Sequence, residues 1–263
     1  MTETIAIGRG SESDTWIRRF HPAPDAALRL VCFPHAGGSA SFYFPVSNAL
    51  RRSASLAGRV EVLAVQYPGR QDRRTDPPIT DLNELADHVA RALAPHADRP
   101  LMFFGHSMGA SIAFETARRL EAKGSAPVAV VASGRRAPSR HRAESVHRRD
   151  DAGVIAELRA LSGTDPSLLE DEELLRLFLP AVRADYTAIE TYRAEPDATV
   201  SCPITVFTGD ADPHVTLDEA EAWRGHTTGA FELRVFEGGH FYLSTSPALT
   251  IERLSEILQR HVR

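Results

Sequence analysis

Ser107 stands between two glycines in Gly105-His106-Ser107-Met108-Gly109, directly after the apolar run Leu101–Phe104. A serine hydroxyl attacks a carbonyl only when a base takes its proton and an acid orients that base. The chemistry open to Ser107 is therefore acyl transfer, provided the chain supplies a histidine and a carboxylate. Of the 11 histidines, His240 has the best placement: Phe236-Glu237-Gly238-Gly239-His240-Phe241 follows the last predicted strand, and the paired glycines permit a sharp approach. His96, His141, His147 and His261 lie on helical or polar stretches and read as solvated. His106 adjoins the nucleophile but points elsewhere, since consecutive residues do not share a face. Asp210 and Asp212, in Thr208-Gly-Asp-Ala-Asp-Pro213, compete for the acid, and either could instead serve a turn or a helix cap. Asp212 is preferred, because a loop needs a few residues to return towards the histidine.

A tetrahedral intermediate also needs N–H donors for its oxyanion. Met108 opens the helix after the serine, so its N–H is one candidate. The second should come from the loop after the first core strand, where Phe33-Pro-His-Ala-Gly-Gly-Ser39 makes a small-residue turn and the Ala36 N–H is favoured. His35 has no second ligand at metal-binding spacing, so no metal is expected.

These residues need a scaffold that delivers loops to one edge. Nearly continuous apolar runs at Leu28–Phe33, Val60–Val65, Leu101–Phe104, Val128–Ala132, Ile204–Phe207 and Glu232–Phe236 predict strands covered on both faces. Helical patterns at Phe42–Arg52, Asp81–Ala94, Met108–Lys123, Leu217–Trp223 and Pro247–Arg260 alternate with them, predicting a mostly parallel sheet flanked by helices. Asp81 with Glu84 reads as a capping box, and Gly124 as a left-handed helix stop. The strand–turn–helix around Ser107, with the order Ser, acid, His, predicts an α/β-hydrolase fold. Residues 28–134 and 201–263 form its core, after an N-terminal segment 1–27 that is partly flexible. Residues 135–200 contain helical patterns (Asp151–Leu161, Asp171–Tyr192) but no convincing strand. They read as a helical lid over the carboxyl ends of the strands; a surface decoration is the plainer alternative. The lid's Leu161, Leu168, Leu169, Leu174, Leu177 and Phe178 could line a chamber, though helical spacing favours packing for most of them.

With 43% hydrophobic and 25% charged residues, the composition is that of a soluble globular domain. A net charge of −5 argues against nucleic-acid binding. No apolar run approaches the roughly 18 residues that span a bilayer, and Met1–Ser13 does not read as a signal peptide, so the expected location is the cytoplasm without membrane attachment. Cys32 and Cys202 read as buried, reduced packing residues. Arg135–Arg149 concentrates six arginines against one acid. It is either a solvated linker or a basic collar that steers an acidic partner.

Six segments together resemble the stand-alone (type II) thioesterases that accompany polyketide synthases and nonribosomal peptide synthetases. They are Phe33–Ser39, Tyr67-Pro-Gly-Arg-Gln-Asp-Arg73, Gly105–Gly109, Leu179-Pro-Ala-Val-Arg-Ala-Asp-Tyr186, Gly209–Pro213 and Gly238-Gly-His-Phe-Tyr-Leu243. The resemblance implies hydrolysis of acyl groups from the phosphopantetheine thiol of acyl or peptidyl carrier proteins, clearing stalled units from an assembly line. It implies Ser107, Asp212 and His240 as the triad and residues 135–200 as a mobile lid. It also implies no cofactor beyond the phosphopantetheine carried by the substrate, and a monomer is expected. Tyr242, where the family commonly has Phe, is a departure expected not to touch the triad. A medium-chain fatty acyl thioesterase, a small-molecule carboxylesterase and a non-catalytic binding protein are the alternatives.

Overall fold

The computed structural model describes residues 12–161 and 172–262. Its sheet contains β1 (Ile17–Arg18), β2 (Leu28–Phe33), β3 (Val60–Val65), β4 (Leu101–His106), β5 (Ala129–Ser133), β6 (Ile204–Gly209) and β7 (Phe231–Phe236). The strand order is β1-β3-β2-β4-β5-β6-β7. Only β1 runs antiparallel; β2 to β7 pair in parallel. Every residue of β2, β3, β4, β5 and β6 is buried, as their nearly continuous apolar runs require, with the interrupting Arg29 and Glu61 paired to each other; the edge strand β7 is largely half-exposed.

The helices are α1 (Glu12–Trp16), α2 (Phe44–Arg52), α3 (Leu82–Leu93), α4 (Met108–Glu121), α5 (Asp151–Leu161), α6 (Glu172–Thr191), α7 (Leu217–Glu221), α8 (Tyr242–Thr245) and α9 (Pro247–His261). Alternate strand residues feed two cores. Val31, Phe33, Phe103 and Val130 pack with α3 and α4 on one face, and Leu30, Cys32, Met102 and Phe104 with α2 and α9 on the other. This is an α/β-hydrolase fold.

The differences from expectation are local. The part of 1–27 that precedes residue 12 lies outside the described residues; the rest folds as α1 and β1, too short to leave a periodic signal, with β1 pairing on β3. The helix predicted from Phe42 starts at Phe44 after a 3-10 turn, with Pro45 in its first turn. Asp81 caps α3 by accepting from the Glu84 N–H at 3.0 Å. The reciprocal half of a capping box is found instead at Thr216 and Glu219. Gly124 ends α4 at φ +77°, with the Ser125 N–H donating back to the Leu120 carbonyl. Cys32 and Cys202 are both free and buried. No described helix is long and apolar enough to cross a membrane.

The segment between β5 and β6 carries α5 and α6 and no named strand among the described residues. Val146, Val154, Leu158, Leu175, Leu179 and Val182 form a third, separate cluster there. The C-terminal part of α6 (Ala188, Ile189) and Tyr192 just after it belong to the main core.

Candidate active site

β4 runs straight into α4, and Ser107 at the junction takes φ +54°, ψ −120°. Such a backbone costs ~1–3 kcal/mol and persists only where the surroundings impose it. Here the Ser107 N–H donates to the Ser133 carbonyl at 2.8 Å, and helix and strand close on each other. A Cβ on Gly105 would lie 2.2 Å from the Gly109 carbonyl oxygen, and one on Gly109 2.0 Å from that of Phe33. Only glycine fits either position. As the residue that opens α4, Met108 presents an N–H with no intrahelical acceptor.

β6 and β7 deliver the other two groups. His240 Nδ1 lies 2.8 Å from Asp212 Oδ2, and both side chains are almost wholly buried. A carboxylate can only accept, so the proton sits on Nδ1 and leaves Nε2 as the basic nitrogen. The other Asp212 oxygen accepts the His214 N–H at 2.8 Å, which fixes the carboxylate's plane. Asp210 is exposed and accepts from the Gly238 N–H at 2.9 Å. Of the two competing aspartates, one therefore braces the turn and the other faces the histidine. Ala36, Ser107 and His240 line one cavity of about 200 Å³.

Two further histidines sit beneath. His106 does turn away from the cavity, but its buried ring lies 5.1 Å from that of His240. Its Nδ1 is hydrogen-bonded to Ser133 Oγ at 2.9 Å, and that oxygen to Tyr242 Oη at 2.5 Å. Tyr242 thus supports the site through two links. His35 packs edge-on against Phe42 and Phe241. Burial, with His240 and Arg70 nearby, pushes its pKa down to about 3; burial likewise holds His106 well below the usual range. Both therefore stay neutral. His96 is not solvated as expected: it is buried and hydrogen-bonded to Ser13 Oγ at 2.7 Å.

Residues 28–258 match the Thioesterase domain family. The chain is 59% identical over 229 residues to a probable cadicidin biosynthesis thioesterase of Streptomyces griseus, covering 87% of this chain and 62% of that protein. Thioesterase PikA5 of Streptomyces venezuelae is 54% identical over 235 residues, 89% of this chain and 82% of its own. Among solved structures, the type II thioesterase BorB from the borrelidin biosynthetic cluster superimposes with a TM-score of 0.85 at 49% identity, covering 95% of this chain and 98% of that one. The chain belongs to the thioesterase family, on its type II branch.

The thioesterase's cavity has a polar wall on the side of the inserted segment. Glu144 pairs with the buried Arg136, and Glu157 with Arg149 at 2.8 Å. Burial works to raise the Glu144 pKa, but hydrogen bonds from His214 and Arg136 overcome it and hold the carboxyl well below the usual range. Arg135 also lines the cavity; burial, with Arg136 beside it, lowers its pKa to about 9. The basic segment is thus not a free collar. Arg136 and Arg149 are paired as above and Arg142 binds Glu219 through two hydrogen bonds of 2.8 and 2.5 Å; Arg140, Arg148 and Arg149 are exposed. Of the lid apolars, Leu161 lines the cavity, Phe178 packs on the third cluster and Leu177 is 66% exposed. Leu168 and Leu169, and the side chain of Leu174, lie outside the described residues.

Asp185 received no role from the sequence, yet it is 1% exposed at the centre of the site's roof. Its signal was legible. Ala181, Val182, Asp185, Ala188 and Ile189 fall on one helical face, and a lone charge on an apolar stripe must find a buried partner.

Proposed function

We propose that this thioesterase hydrolyses acyl groups from the phosphopantetheine thiol of carrier proteins, through an acyl-enzyme on Ser107. The observation that carries the reading is the buried 2.8 Å contact of His240 with Asp212 in the cavity that also holds Ser107. His240 Nε2 takes the Ser107 proton while Oγ attacks the thioester carbonyl, and the Ala36 and Met108 amides receive the oxyanion. The carbon–sulfur bond then breaks, and the leaving thiolate takes the proton from His240. Water, deprotonated by the same nitrogen, next attacks the acyl-serine to release the free acid and restore Ser107. Each oxyanion donor contributes ~3 kcal/mol to lowering the barrier. The names and titles of the related proteins, which tie them to biosynthetic pathways, support a role in clearing acyl units from an assembly line.

A cavity of about 200 Å³ walled in part by paired charges suits short or polar acyl units better than long alkyl chains. Carrier proteins are typically acidic, and Arg140 and Arg148 are among the exposed positive charges of the inserted segment. The test is a panel of acyl groups loaded on a carrier protein, run beside small acyl-thiols and oxygen esters. Hydrolysis should be fastest for short acyl-carrier substrates, and Ser107→Ala should fall below about a thousandth of wild type. Retained turnover in that variant sinks the mechanism, and preference for an oxygen ester points to a carboxylesterase.

A further inference from the structure

Three of the segments that carried the family resemblance, distant in the chain, meet at one point. The loop Ala36-Gly37-Gly38 has little means of holding itself, since consecutive glycines leave the backbone many alternatives. Within it, the Gly38 N–H donates to the His35 carbonyl at 2.9 Å. Its other anchors come from outside. The Gly37 N–H donates to Asp185 Oδ2 on α6 at 2.7 Å. Arg70 donates to the Gly38 carbonyl at 3.1 Å and grips Asp185 with two bonds of 2.6 and 2.8 Å. Arg70 Nε is held in turn by the Pro68 carbonyl at 3.1 Å. Both charged side chains are buried, Arg70 at 6% and Asp185 at 1% exposure.

Packing follows the same line. A Cβ on Gly37, whose φ is +76°, would come within 3.2 Å of Phe178 and Val182 of α6. The helix therefore rests directly on the loop. The Gly37 N–H belongs to the peptide plane next to the one that carries the Ala36 N–H, so the bond to Asp185 fixes the orientation of a proposed oxyanion donor. Buried ion pairs contribute little net stability against apolar replacements, so stability alone does not account for this one.

We infer that Arg70 and Asp185 are positioning residues for the oxyanion loop, so that seating α6 on the core and assembling the oxyanion hole are one event. This rests on the hydrolytic reading above. Displacing α6 breaks the Asp185 bond to Gly37 and frees the Ala36 amide to turn away. The residues touch no substrate and act through the loop alone.

The test compares Asp185→Asn with the double variant Arg70→Met/Asp185→Leu, which removes both charges and so avoids an orphaned buried ion. On a short acyl-carrier substrate, kcat should drop by up to about 10²-fold, the scale of a 1 Å misplacement, with KM within a few-fold of wild type. Inhibition by a trifluoromethyl ketone analogue of the thioester, whose hemiketal oxyanion needs the same amides, should weaken in parallel. Circular dichroism establishes folding, and the double variant decides the matter if the single one is unstable. A folded variant with wild-type kcat overturns the inference, as does a rise in KM alone with unchanged inhibitor affinity. Wild-type protein that turns over no acyl-thioester in the same assay would instead reject the hydrolytic reading.

Discussion

The floor of the active site and its roof are built with different interactions. The floor hangs from strand ends by backbone hydrogen bonds: Ser107 to Ser133 at 2.8 Å, Asp210 to Phe236 at 2.8 Å and Ala211 to Gly238 at 3.0 Å. Those bonds continue the sheet, so the floor moves only if the sheet does. The roof is held by side chains. α5 and the N-terminal part of α6 share an apolar cluster of their own, and further contacts are ion pairs such as Arg149–Glu157 and Arg183–Asp151 at 2.8 and 2.7 Å. Glu190 of α6 anchors the turn before α5, accepting from the Val146 and His147 amides at 2.9 and 3.1 Å. The roof also reaches the core, through Ala188 and Ile189 in the main cluster, through Arg142 on Glu219 and through Asp185 on the Gly37 loop.

The sharpest way to break this contrast is in the floor. Asp212→Asn should lower kcat by about 10⁴-fold, because an amide can present its N–H₂ to His240 and select the wrong tautomer. Asp210→Asn keeps an acceptor for Gly238 and should leave kcat near wild type. Steady-state kinetics on one acyl-thioester checks both, and equal losses would mean that the two aspartates are not separated as described.

An intermediate effect concerns pH and the buried ring beneath the floor. The unfolded chain takes up a proton at His35 as pH falls through about 6.5, whereas folded His35 resists until about 3. The unfolded state therefore binds more protons in that window, and stability is lost as pH falls, by ~1.4 kcal/mol per pH unit for such a group. It is fully present above about pH 6.5. Denaturant melts between pH 7 and 5 should show the loss, and His35→Asn should reduce its slope. An unchanged slope would mean that His35 is not the group responsible.

The smallest effect belongs to the roof's partly exposed ion pairs. Arg149→Ala and Arg183→Ala should each cost less than ~1 kcal/mol, since exposed ion pairs contribute little. A loss of several kcal/mol in a denaturant melt would show that the roof is bound to the core as tightly as the floor.

Much of this organisation was readable before any coordinates. Parallel strands covered on both faces write themselves as nearly continuous apolar runs, so β2 and β3 fall on Leu28–Phe33 and Val60–Val65 as expected. Strand ends were less legible: β4 runs on to His106 and β6 to Gly209, because pairing with neighbours extends a strand into residues of weak propensity. The turn at Ser107 was legible because a strained serine needs glycines two residues either side.

What the linear chain determined by itself was local pattern: the elbow at Ser107, a histidine at 240 just past the last strand, and helices that would flank a parallel sheet. What only the tertiary structure decided was pairing across distance. Asp212 rather than Asp210 reaches His240, His96 is buried rather than solvated, and three of the six arginines between 135 and 149 are paired with Glu144, Glu157 and Glu219. Asp185 meets Arg70 across 115 positions. Periodicity records which face of an element is buried, but not which group on another element waits there, and a buried charge depends on that partner.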